Sequence, residues 1–187
     1  MVQAPVEKLT LASFLALPET KPASEYINGK IIQKPMPGAK HSRLQCQLSM
    51  AINKALEEHK IASAFPELIC TFGDRAIVPD ISMFTWQRIP LDDDGDVANE
   101  FETHPDWIIE ILSPGQKAIT VINKILHALD HGTHMGWLIA PQECSILVCP
   151  KGEQPQSFEQ VDERLRVPKF ADSLTLTVGD IFGWLKF

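Results

Sequence analysis

The sequence lacks any unbroken apolar run close to the roughly 20 residues that a membrane-spanning helix needs, and its first residues lack the basic-then-apolar pattern of a signal. The expectation is a cytoplasmic protein with no membrane partner. It also lacks a C-x-x-C pair: Cys46, Cys70, Cys144 and Cys149 stand apart in apolar surroundings. That argues against a disulfide or zinc framework and predicts buried free thiols. Repeats and low-complexity tracts are missing, and so is an excess of positive charge, the net charge being -7. Bulk affinity for nucleic acid comes mainly from Lys and Arg neutralising phosphates, so a protein that coats nucleic acid non-specifically is disfavoured. An enzyme with a local basic groove is not, because much of the acid excess is concentrated in LDDDGDVANEFE, residues 91–102.

With 187 residues, of which 44% are apolar and 22% charged, the chain reads as one globular domain, residues 1–187, with a sizeable core. Thr10 can cap a short helix through Leu17, stopped by Pro18, with Leu11, Phe14, Leu15 and Leu17 as its apolar face. EYINGKII places two short runs across Asn28-Gly29, a two-residue turn suited to a β-hairpin. From Ala39 to His59, Leu44, Leu48, Ile52, Ala55 and Leu56 recur every three or four residues and form one stripe on a long helix. Strands are expected over 61–72, 76–84 and 106–112, with a turn at Gly73-Asp74. Residues 87–104 form a long connection, and a loop of that length is usually functional or mobile. A second helix over 118–131 ends at Gly132; MGWLIA and CSILVC are a strand pair, and a strand at 156–161 and a short helix close the chain. This order suggests a mixed sheet flanked by helices, in an α/β or α+β domain.

Two of the strands carry acids inside them. RAIVPDISMF holds Asp80, and PDWIIEILSP holds Asp106 and Glu110. A carboxylate on a buried strand is costly unless its charge is compensated, and a divalent cation can compensate it. If the two strands are neighbours, Asp80 and Glu110 can share one ion, with the backbone carbonyl of Ile111 and waters completing a hard, oxygen-only shell suited to Mg²⁺ or Mn²⁺ and to a phosphate-bearing substrate. Asp106 and Glu110 lie on the same strand face but roughly 13 Å apart, at about 3.3 Å per residue, too far to share that ion easily. Asp106, at the strand entrance after Pro105, reads as a solvated or capping acid.

VPDISMF, then PDWIIEILSP, then a helix carrying Lys124 resembles the Uma-type family of the restriction-endonuclease-like superfamily, whose core pattern is PD followed by (D/E)-x-K. YINGKII, His41 in AKHSRL, HGTHMGWLI and LTVGDIFGWL extend the resemblance over nearly the whole chain. It implies an α/β/α core with a central mixed sheet, plus the N-terminal hairpin, and Asp80 and Glu110 as metal ligands. It also implies that Glu25 joins the site as an acid from the N-terminal region, and that His41 faces the site, where it could contact phosphate or help position Glu25. The superfamily's lysine usually stands two residues after the second acid, but that position here is Leu112. The family pattern puts a lysine on the following helix, which Lys124 matches; its long stem could lie along the apolar stripe and carry the ammonium to the strand end. Lys117 is the backup candidate. Two departures are Ala128, where the family commonly has a tyrosine, and Ala140, where it commonly has an acid.

The resemblance therefore implies a metal-dependent endonuclease acting on DNA. The rival is a catalytically weak or inactive module that binds or regulates with the nuclease fold, and the expected assembly is a homodimer. A third reading, paired carboxylates cleaving a sugar without metal, would need Asp80 and Glu110 to flank a cleft. His127, His131 and His134 have spacing that could gather a transition metal, although polar histidines are common at a helix C-terminus. Arg43, Arg75 and Arg88 could form part of a phosphate-binding rim.

Overall fold

The computed structural model describes residues 9–187. Thr10 and Ser13 form a reciprocal capping box on α1 (Leu11–Leu15). The helix stops short of Leu17, and only Phe14 of its expected face is buried, stacked on Tyr26, while Leu15 and Leu17 stay exposed. β1 (Ser24–Ile27) and β2 (Lys30–Gln33) pair as the expected hairpin, whose turn puts Asn28 at φ 52° and Gly29 at φ 79°. α2 (Ala39–Leu56) follows, burying Leu44, Leu48, Ile52 and Leu56 as predicted.

The two long strands expected over 61–72 and 76–84 are each broken in two. β3 (Ala62–Pro66) and β4 (Cys70–Phe72) are separated at Glu67, which adopts φ 52°. β5 (Arg75–Ile77) and β6 (Ile81–Thr85) are separated at Pro79, which has no N–H to give a ladder. The halves lie in different sheets: β4 pairs with β5 in one, and β3 pairs with β6 in the other. The smaller sheet runs β2-β1-β5-β4. The larger runs β10-β9-β8-β7-β6-β3, with β7 (Trp107–Ile111), β8 (Met135–Ala140), β9 (Ser145–Pro150) and β10 (Gln156–Phe158).

Among the described residues, only β7 and β8 pair in parallel within this larger sheet, and α3 (Ala118–Asp130) connects them. Period-two alternation divides the core. Trp107, Ile109 and Ile111, with Met135, Trp137 and Ile139, pack with α2 and with α4 (Val178–Gly183) on one face. Ile108 and Leu138 pack with Val121, Ile125 and Leu129 of α3 on the other. α3 approaches β8 closely, since a Cβ at Gly136 would collide with Ile125 Cγ2. The result is the α/β/α arrangement with an N-terminal hairpin.

The 87–104 connection is anchored by buried Phe101, which bridges Cys70, while most of its acidic middle is exposed. Cys70 and Cys149 are buried free thiols, but Cys46 and Cys144 are exposed. Cys46 lies off the apolar stripe of α2, and Cys144 sits in the β8–β9 turn at φ 51°. Among the described residues, no helix is long and apolar enough to cross a membrane.

Candidate active site

The candidate residues meet where the chain crosses between the two sheets. Asp80 stands at that crossing, buried directly before β6, and Glu110 lies near the end of the adjacent β7. Strand parity turns Glu110 to the same face as Ile108, toward α3. Lys124 meets it there: its Nζ is 2.9 Å from Glu110 Oε1 and donates to Glu25 Oε1 at 2.8 Å. Glu25, on β1, is buried rather than on a surface edge, and it also accepts from the N–H of Val78 at 2.8 Å. Lys117 is exposed at the start of α3. Leu112 is half-buried beside the apolar cluster, and its N–H donates to Ile139.

Asp80 is surrounded by donors. Its Oδ2 accepts from the N–H of Ile111 at 2.6 Å and lies 3.0 Å from His41 Nε2, and its Oδ1 accepts from Lys34 Nζ at 2.7 Å. His41, in the first turn of α2, thus faces Asp80 rather than Glu25. Burial would raise the pKa of Asp80, but His41, Lys34 and Lys124 outweigh it and hold the carboxyl below its usual range. Glu110 goes the other way: burial, only partly opposed by Lys124, pushes it up to about 8. Burial disfavours the Lys124 ammonium too, yet Glu110, Glu25 and Asp80 together hold its pKa above the usual lysine value.

Three residues of this neighbourhood were missed by sequence reasoning. Lys34 follows β2 and donates to Asp80, to the carbonyl of Val78 at 2.8 Å and to Glu67 Oε1 at 3.0 Å. Gln45, one turn along α2 from His41, donates to Glu67 Oε1 and to the carbonyl of Asp80. Glu67 occupies the other crossing point between the sheets. Proline inside an apparent strand was the available signal, since Pro66 and Pro79 flank both crossings. An opening of about 320 Å³ gives access, with Lys21, Lys34, His41, Asp80, Glu110 and Gln116 among its lining.

Asp106 is neither solvated nor a cap. It is buried and accepts from the N–H and Oγ1 of Thr85 and from Arg88, which also donates to Thr103 and to the carbonyl of His104. Arg88 is thereby committed to this clamp, and Arg43 donates to the carbonyl of Trp184. The histidine trio does not assemble. His127 and His131 lie with His104 around Phe72, whereas His134 faces Phe170.

Among the described residues, no group of three or more His, Cys, Asp or Glu side chains is placed to hold a metal ion. Two carboxylates with a backbone carbonyl are a smaller set, and here they fit a hard cation by their chemistry. Glu110 Oε1 is buried without a hydrogen-bond donor, Lys124 being near it but out of line, and Asp80 Oδ1 already holds a cationic group. Ala128 is buried against the sheet and Ala140 ends β8; neither lines the opening.

The pattern of the Uma2 family, described as "Putative restriction endonuclease", matches residues 11–179. Among solved structures, the chain is similar to a "putative nuclease belonging to DUF820" from Anabaena variabilis. The two are 52% identical, the match covers 94% of this chain and 98% of that one, and the TM-score is 0.92. No curated protein matches the sequence.

Proposed function

The chain belongs to the Uma2 family of nuclease-like proteins, and on that premise we propose that it is a metal-dependent endonuclease hydrolysing phosphodiester bonds of DNA, in which Asp80, Glu110 and the carbonyl of Ile111 hold Mg²⁺ or Mn²⁺. The observation that carries this reading is the Lys124 ammonium set between the buried carboxylates of Glu110 and Glu25, beside Asp80. A cation held there would supply Lewis acidity toward a phosphoryl oxygen and offset its charge.

The protein's own groups supply the rest. Lys124 keeps its charge next to Glu110, where it can steady the attacking oxygen or the negative charge developing on phosphorus. It reaches the acid from the helix, in place of a lysine at position 112. Glu25 fixes the ammonium from the far side and ties it, through Val78, to the crossing that carries Asp80. His41 positions Asp80 and lies at the opening, within reach of a bound phosphate.

The test is nicking of supercoiled plasmid with Mg²⁺ or Mn²⁺, run beside the Glu110→Ala and Asp80→Ala variants. Nicking by the wild type that disappears in both variants is the expected result. Absence of nicking, or equal nicking by wild type and variants, would favour the rival reading of a binding module.

A further inference from the structure

Lys34 has no assigned part in the site, yet its ammonium occupies a place built for a cation. Its three N–H donors meet three oxygens, Asp80 Oδ1 at 2.7 Å, the Val78 carbonyl at 2.8 Å and Glu67 Oε1 at 3.0 Å. An ammonium has three donors, so this cradle saturates it. Two carboxylates and a backbone carbonyl are also the hard oxygen donors that a divalent cation prefers. The remaining side-chain contacts of Asp80 go to Ile111 and His41, and both involve Oδ2. Among the described residues, Oδ1 is therefore the oxygen that Lys34 alone withholds.

The construction of this segment allows the ammonium to leave without the backbone moving. The N–H of Lys34 is fixed to the carbonyl of Ala23 at 2.9 Å at the end of the hairpin, and Pro35 follows. The four-carbon stem beyond that anchor has freely rotatable bonds, and although the side chain is only 9% exposed it borders the opening that also contains Asp80 and Glu110. Glu67, with 42% of its side chain exposed, and Gln45 hold the near side of the cradle.

We propose that Lys34 is a tethered competitor for the cation at Asp80, one that a divalent ion must displace and that is then free to meet the incoming phosphate. This rests on the reading that Asp80 and Glu110 hold a divalent ion. It makes Lys34 a brake on metal loading in the absence of substrate.

The measurement is Mn²⁺ binding without DNA, by calorimetry and by the loss of the free-ion electron paramagnetic resonance signal. The proteins compared are wild type, Lys34→Met, Lys34→Gln and Lys34→Met combined with Asp80→Asn, each checked for folding by circular dichroism. The expected result is at least tenfold tighter Mn²⁺ binding in both single variants, lost when Asp80→Asn is added. Affinity in the folded single variants equal to or weaker than wild type, with binding still dependent on Asp80, would overturn the role of Lys34 and leave the metal site standing. Absence of Asp80-dependent binding in every protein would overturn both.

Discussion

Replacing Lys124 with methionine keeps most of its stem volume and removes the charge between two buried acids. Glu25 and Glu110 are 5% and 2% exposed, and Lys124 touches both. Breaking a buried pair by removing one partner typically costs about 3–5 kcal/mol, because the other charge is left uncompensated. For a chain of this size, at about 2–4 °C per kcal/mol, the melting temperature should fall by roughly 6–20 °C. The fall should depend on pH in a definite direction. Glu110 is pushed up to about 8 from an ordinary 4.5, so the folded protein binds its proton more tightly than the unfolded chain does. The stability that this proton contributes is complete below the ordinary value and is lost as pH rises through about 8. Without Lys124 the pull toward the neutral form is stronger, so the variant's deficit should be smaller at pH 5.5 than at pH 8.5. Adding Glu110→Gln should recover part of the loss at the higher pH, since one carboxylate fewer then lacks a partner. Calorimetric melting of the wild type and the single and double variants at both pH values provides the check. A Lys124→Met melting temperature within about 2 °C of wild type at pH 8.5, less than 1 kcal/mol, would refute the buried triad as an energetic unit.

Asp106→Asn should lower stability by about 2–3 kcal/mol, the loss of a charge-assisted bond to Arg88 and a mismatched amide facing Thr85, while plasmid nicking is retained. Urea unfolding measured beside the nicking assay separates this clamp from the candidate site. Gly136→Ala forces a methyl into Ile125 and should cost about 1–3 kcal/mol by overpacking, also seen as a lower urea midpoint; a neutral result would mean that α3 can retreat from β8.

Local patterns carried much of this architecture. The Asn28-Gly29 turn, the α2 stripe and the alternation along β7 are each written in a few consecutive residues, and alternation also turned Glu110 toward α3. The division of two apparent strands between two sheets was not readable from periodicity, because a β pattern specifies a buried face and not the sheet to which it belongs. Pro79 and Pro66 carried the information, as places where a ladder is interrupted. The burial of Asp106 is hidden from local pattern for a similar reason: it depends on Arg88, 18 positions earlier, brought back by the turn after β6. Lys34 follows an exposed strand in a proline-rich break, and nothing in that context distinguishes it from a solvated lysine. Its partners, Glu67 and Asp80, lie 33 and 46 residues away.

The parallel pairing of β7 with β8 has a consequence for the order of folding. Glu110 and Lys124 belong to one strand-helix-strand unit, so their meeting closes a short stretch of chain. Glu25 is separated from Lys124 by 99 positions, and the entropic cost of joining chain ends rises with the length between them. The expected order is therefore that the strand-helix-strand half forms first, with its ammonium facing a single acid, and that the second acid arrives when the hairpin docks. The charge constellation is complete only when both sheets are in place, since Glu25 comes from the smaller sheet and Glu110 from the larger.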